Sequence, residues 1–378
     1  MRAWAAAAGG TVLLVAGGCS DDGSSRTEDP GPPPSIKSTP SETKGTQPPP
    51  RGGQPTPRVT DTIATGLTSP WSIAFLPSGD ALVSERDTGL IKRVTSGGEV
   101  RTVGELTDVA PTSEGGLLGL AVSPDFDSEP YVYAYLSTDA DNRLVRMRWD
   151  GSRLGPAEPL LTDNPVSEIH DGGRLAFGPD GMLYITTGET GDSALSQNLD
   201  SNGGKILRLE PDGDIPSDNP FPDSPVWSYG HRNVEGLTFD DAGRLWASEF
   251  GQDTWDELNL VRPGDNYGWP IREGSQGGEC DCVDPVAAWR PAVASPSGLA
   301  YADGALWMAA LRGARLWRIP LDGAEVVSEP RGFFVGEYGR LRAIAVAPDG
   351  ALWLGTSNTD GRGTPADDDD RILRVELR

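Results

Sequence analysis

The chain has only two histidines in 378 residues, and each stands in a setting suited to chemistry. His170 opens HDGGRLAFGPDGMLYITTGE, at the head of a glycine pair and an alternating strand. His231 heads the triplet His231–Arg232–Asn233 in SYGHRNVEGLTFD. Histidine is the side chain whose charge changes near neutral pH, so either could move a proton or be a satisfied core residue. An isolated His-Arg-Asn triplet would read as a polar turn. Here further arginines recur at comparable places: Arg312 in LRG, and Arg340 and Arg342 in GRLRAIAV. Arg340 and Arg342 lie two apart and so share one face of an extended segment. Planar guanidinium groups pair carboxylates bidentately, which makes these arginines a candidate pocket for a small polyanion, with surface salt bridging as the alternative. A third stretch, EFGQDTWDELNLVRPGDNYGWP, offers Asp253, Asp256 and Glu257 as hard oxygen ligands among turns that let backbone carbonyls face inward. That set suits Ca²⁺, although acidic loops are more often just solvated.

The elements that must position these residues repeat along the chain. A Pro/Asp/Gly turn followed by an alternating strand recurs six times, in PSGDALVSER, SPDFDSEPYVYAYLS, GPDGMLYITTGE, DDAGRLWASEFG, ADGALWMAALRG and APDGALWLGTSN. The turns begin near Pro77, Pro124, Pro179, Asp241, Asp303 and Pro348. A spacing of roughly 45 to 60 residues is the size of a four-stranded propeller blade. The pattern predicts an all-β, six-bladed β-propeller with four-stranded blades. A double β-sandwich would leave six such similar strand openings unexplained. RILRVEL at the C-terminus and VTDTIATGL near the start of the ordered part should pair within one blade and close the ring. The longest insertions, where a propeller carries function, run from Thr190 to Asn202, Ile215 to Arg232 and Arg262 to Ala294.

The N-terminus reads as a targeting segment. Residues 1–19, MRAWAAAAGGTVLLVAGGC, have the length and small-residue end of a secretory signal, too short for a span. Ala16, Gly17 and Gly18 before Cys19 resemble a lipobox, which would make the protein an exported lipoprotein held to the membrane through Cys19 alone. Residues 20–58 are rich in Pro, Ser, Thr and Gly and read as a disordered tether, leaving 59–378 as the folded domain. A formal charge of −24 argues against nucleic acid or an anionic membrane face as partner. Cys280 and Cys282 could close a C-x-C disulfide after export. No C-x-x-C-H motif is present, so no covalently attached haem is encoded.

In order, LTSPWSIAF, EGGLLGLAVSPDF, HDGGRLAFGPDGMLYITTGE, GKILRLEPDGDIPSDNPF, GHRN, DELN, NYGWP, SPSGLA and GRLRAIAVAPDG resemble the soluble pyrroloquinoline quinone (PQQ)-dependent sugar dehydrogenases, the glucose/sorbosone dehydrogenase family. The resemblance runs from Thr62 to Leu377. It implies that His170 is the general base toward a sugar hydroxyl, with Gly172 and Gly173 letting the loop approach the substrate. It implies that Arg232, Asn233, Arg312, Arg340 and Arg342 hold the carboxylates and quinone oxygens of PQQ. Gly251 and Gln252 would offer carbonyls to a Ca²⁺ that polarises the quinone, Glu257 and Tyr267 match a separate calcium site, and Asp256 falls at a substrate-pocket position. His231 would be structural. Three departures stand out: Glu114, a cofactor-contact position, and Glu235 replace the family's usual Gln, and Arg312 replaces the more usual Lys. Both glutamates would add negative charge beside a trianion.

The resulting expectation is an exported quinoprotein that oxidises the C1 hydroxyl of an aldose to a lactone. A separate electron acceptor, a quinone or a cytochrome, would be its second partner. The alternatives are a calcium-dependent sugar lactonase on the same fold, which would not need four arginines, and a non-catalytic propeller binding glycans or proteins. Trp227, Trp255 and Trp269 near blade mouths could stack on sugar or simply pack.

Overall fold

The computed structural model describes residues 55–378, so the leader, Cys19 and nearly all of the tether lie outside the described residues. Among the described residues the chain forms six antiparallel sheets arranged as blades. Each blade opens with an innermost strand: Pro70–Phe75, Leu117–Val122, Leu175–Phe177, Val234–Phe239, Pro296–Ala302 and Leu341–Val346. Neighbouring innermost strands pack on one another in this order, and the last packs on the first, which closes a ring. All six sequence-predicted turns fall between the first and second strands of a blade.

The closing blade takes Leu341–Val346, Leu352–Thr356 and Ile372–Leu377 from the C-terminus and Pro57–Ala64 from the N-terminal side. Pro57 faces Leu377 and Val59 faces Val375 in this antiparallel pair. The expected closure is thus observed, with the strand beginning two residues before the predicted domain start. Two insertions contain more blade than expected. The segment from Ile215 to Arg232 supplies the outer strand Val226–Tyr229 of the third blade. The segment from Arg262 to Ala294 supplies the fourth blade's outer strand Ala287–Trp289, a small hairpin at Arg272–Glu273 and Gln276–Gly277, and a disulfide between Cys280 and Cys282.

Strand alternation explains the core. Ala81 and Val83 pack toward the closing blade, whereas Leu82 between them packs toward the second blade. Leu117 and Leu118 divide in the same way between the first and third blades. Successive side chains point to opposite faces of a strand, so a strand sandwiched between two blades must be apolar on both. The apolar clusters therefore lie between blades and leave the strand ends free to carry polar function.

Candidate functional site

The blade topology collects the candidate residues on one rim. Glu114, His170, Arg232, Asn233 and Arg340 precede or begin innermost strands, and Arg342 is the second residue of its strand. Glu189, Gly251, Arg312, Asp360 and Arg362 follow the second strands of their blades. In an antiparallel hairpin the start of the first strand lies beside the end of the second. Both sets consequently meet at the same end of the ring.

His170 is held by two carboxylates. Its Nδ1 lies 2.6 Å from Glu189 Oε1, with the imidazole side chain 13% exposed and Glu189 3% exposed. A carboxylate can only accept, so Nδ1 carries the proton, and in the neutral ring Nε2 is the nitrogen with the lone pair. Nε2 has no protein partner among the described residues. The His170 N–H donates to Glu114 Oε2 at 2.8 Å. His170 adopts φ +59°, a left-handed conformation uncommon outside glycine, and its carbonyl accepts from Thr190 N at 3.2 Å. Glu189 went unnoticed in the sequence, although it ends the stretch that His170 begins.

The glycine pair is required by the packing of the blade itself. Gly172 has φ +65°, and a Cβ there would come within 2.7 Å of the Thr187–Gly188 backbone. Gly173 has φ +99°, and a Cβ would meet the Leu118 side chain at 2.7 Å. These glycines let the loop pack inward on its own blade and the core, and Asn233 Oδ1 pins the result by accepting from Gly172 N at 3.0 Å. His231 is structural, as expected. It is fully buried, with Nδ1 2.7 Å from Glu249 and Nε2 2.9 Å from Ser228 Oγ, and it stacks on Tyr267. Burial pushes the His231 pKa down to about 3, so it stays neutral with both nitrogens engaged.

The arginines form a cradle whose charges are partly balanced by acids, of which the sequence reading missed Asp360. Asp360 Oδ2 accepts from Arg340 Nε at 2.9 Å and lies 3.7 Å from Arg342 Nη2. Arg342 is buried and donates to Glu235 Oε2 at 2.6 Å, and the same oxygen accepts from Ser297 Oγ. Buried Arg174, stacked on Trp71 at 4.0 Å, donates to the Glu235 carbonyl. Arg232 donates from Nη1 to the Gly251 carbonyl at 2.8 Å and lies 5.4 Å from the Trp269 ring, while its buried Nε has no partner. Arg312 is exposed. The two unusual glutamates are compensated rather than added as free negative charge. Glu235 pairs with Arg342, and Glu114 Oε1 pairs with Arg362 at 2.9 Å. Burial works against ionisation of Glu114, but the His170 N–H and Arg362 outweigh it and hold its carboxyl below the usual value.

Asp256 is buried beneath this rim. Its oxygens accept from Gly251 N at 3.0 Å and Ser295 N at 2.6 Å, so in this structure it ties two loops together. Burial pushes its pKa up to about 7. Trp227 packs edge-on against Tyr184, and Trp255 lies under Arg290, which makes both packing residues.

Residues 67–373 match the Glucose / Sorbosone dehydrogenase family. The chain belongs to that family. A PQQ-bound aldose sugar dehydrogenase from Streptomyces coelicolor is 56% identical, with a TM-score of 0.83 over 86% of this chain and 99% of the other. The aldose sugar dehydrogenase YliI of Escherichia coli is 28% identical over 78% of this chain and 89% of its own length. Quinoprotein glucose dehydrogenase B of Acinetobacter calcoaceticus is 35% identical over 55% of this chain and 51% of its own length. The protein is thus a sugar dehydrogenase of the PQQ-dependent family, an oxidoreductase, and the lactonase and non-catalytic readings give way to it.

The dehydrogenase's rim residues fit PQQ. The orphaned Arg232 Nε, exposed Arg312 and half-buried Arg340 supply donors beyond what Asp360 and the Gly251 carbonyl use. A trianion is the kind of ligand such a surplus suits. Calcium fits less evenly. The Gly251 carbonyl is already taken by Arg232, and Gln252 is exposed with its amide turned to Asp253. Glu257 is buried and accepts from Gly274 N and Asn259 Nδ2, beside an unpartnered Asn259 Oδ1 that could serve a cation. The Tyr267 hydroxyl is saturated by Leu260 O and Arg262 N, leaving its main chain to contribute.

Proposed function

We propose that this dehydrogenase oxidises the C1 hydroxyl of an aldose sugar to the lactone. The observation that carries the proposal is the His170–Glu189 pair, which fixes the imidazole with Nε2 as acceptor on the rim where the arginines converge. His170 Nε2 takes the hydroxyl proton as the C1 hydride leaves with its electron pair, and Glu189 steadies the imidazolium that forms. Bound PQQ supplies the two-electron quinone acceptor for that hydride. Arg232, Arg312, Arg340 and Arg342 would hold its carboxylates, with Asn233 and Glu114 at its edge through their contacts to the His170 loop. Glu114 also acts on the base, through the His170 N–H. A separate quinone or cytochrome would take the electrons onward.

Calcium belongs to the proposal at Glu257, Asn259 and the Tyr267 main chain, as a brace for the loop that carries Trp269. A ligand that binds only the folded state raises its stability by mass action, so a chelator should lower Tm and added calcium restore it. Export and anchoring through acylated Cys19 complete the reading, on the strength of the leader and its small-residue end. The test of function is reconstitution. Purified protein should gain aldose-dependent dye reduction on addition of PQQ and yield a lactone. Failure to gain it with any aldose at saturating PQQ would overturn the proposal.

A further inference from the structure

The loop that follows Leu352–Thr356 in the closing blade touches both halves of the site. Within it, Asp360 Oδ1 accepts from Arg362 N at 3.0 Å while Asp360 Oδ2 accepts from Arg340 in the cradle. Arg362 then reaches across the ring seam to a segment 248 residues earlier. Its Nη1 donates to Glu114 Oε1 at 2.9 Å and its Nη2 to Ser113 Oγ at 2.7 Å. Glu114 spends its other oxygen on the His170 N–H, and Glu114 N donates to the Glu168 carbonyl two residues before the base.

We propose that Arg362 is a positioning residue for His170, acting through Glu114, so that one loop of the closing blade sets both the cofactor cradle and the base. The inference rests on His170 being that base. Stability is a poor explanation for the pair. The Arg362 side chain is 44% exposed, and ion pairs of that exposure are worth about 0–1 kcal/mol. Geometry is a better one. His170 is held in a left-handed backbone conformation, and such strain persists only where neighbours over-determine it. Glu114 Oε2 is one of those neighbours, and Arg362 with Ser113 fixes the carboxylate plane that presents it. Without Arg362 the Glu114 carboxylate can turn toward solvent and release the His170 N–H, letting the imidazole drift relative to the cradle. Glu189 would still set the tautomer, so the loss would be one of placement.

The test uses the full chain and reads the base directly. In cofactor-free protein, amide hydrogen exchange at His170 should speed up roughly two- to tenfold in Arg362→Ala and Glu114→Ala, the worth of one hydrogen bond. It should rise by a smaller factor in Glu114→Gln, whose single amide oxygen can still accept from His170 but whose NH2 then faces Arg362 and loses that pair. In PQQ-loaded protein, kcat should fall by the same order in the two Ala variants and by less in Glu114→Gln, while KM and PQQ affinity stay within about twofold. Arg362 is half exposed, so its variant is suited to folding if Glu114→Ala does not. Unchanged exchange and kcat in Arg362→Ala would overturn the inference. So would a PQQ affinity that falls in step with kcat, which would make the pair a cofactor contact instead. If the parent protein shows no PQQ-dependent sugar oxidation, the proposed function fails, and the exchange measurement alone still decides whether Arg362 positions His170.

Discussion

Replacing Glu189 with Gln isolates what the buried carboxylate does for the base. The substitution keeps size and removes charge at a contact of 2.6 Å in which Glu189 is only 3% exposed. Hydrogen bonds to a charged group contribute about 1.5–3 kcal/mol, and each 1.4 kcal/mol is a factor of ten. If the amide oxygen faces Nδ1, the tautomer survives and the imidazolium loses its counter-charge. The turnover should then fall roughly tenfold to a hundredfold. If the amide nitrogen faces Nδ1 instead, the proton moves to Nε2 and the base is lost, which gives a larger drop. Either way no cradle arginine loses a hydrogen bond, although Arg232 loses the attraction of the Glu189 charge, so PQQ affinity should not fall, and kcat should fall without a matching rise in KM. Dye-coupled turnover across an aldose titration, with PQQ binding followed by absorbance, separates these quantities. Turnover within twofold of the parent would refute the argument that Glu189 orients and charges His170.

Arg340→Ala should weaken PQQ binding by about 1.5–3 kcal/mol and be rescued by excess PQQ, as checked by titrating the cofactor. Arg342→Ala should weaken PQQ binding as well and, unlike Arg340→Ala, lower stability by about 3–5 kcal/mol in denaturant unfolding, because it leaves buried Glu235 without the guanidinium it pairs with. The contrast between the two variants is the expected outcome. Asp171, next to the base, is buried with Oδ2 unpartnered, and burial raises its pKa from 3.8 to about 6. The folded state therefore holds a proton that the unfolded chain has released between about pH 4 and 6. This group's contribution is present below pH 4 and lost as pH rises through 6, on the order of 3 kcal/mol. Asp171→Asn should remove that slope from a series of denaturant melts at pH 4 to 7.

The fold was legible because its signal is local. Each turn near Pro77, Pro124, Pro179, Asp241, Asp303 and Pro348 sits beside its own alternating strand, and a blade hairpin needs nothing more. The base and the arginines were legible through their motifs. Their partners were less so. Asp360 and Arg362 lie in a loop whose contacts run to Arg340 and, across the seam, to Glu114 248 residues away, and no local pattern marks such a contact. Glu189 is the instructive miss. Leu175 faces Ile185 in the third blade's first hairpin, and carrying that register outward returns Glu189 and Thr190 beside Asp171 and His170. Glycine identity alone does not tell a packing need from an opening for substrate. Positive φ and close packing at Gly172 and Gly173 satisfy the blade, and their sequence looked the same as that of a loop opened for substrate.

The central claim is that His170 is the base and the arginines are the cradle. Loading His170→Gln and the parent protein with PQQ and mixing each rapidly with excess aldose tests it most directly, through the rate at which the bound quinone's absorbance changes. Equal PQQ affinity with reduction slowed by roughly 10²- to 10⁴-fold in the variant is predicted, the usual worth of general acid–base catalysis. Reduction at the parent rate would contradict the assignment of His170, and a parallel loss of PQQ affinity would contradict the separation of base from cradle.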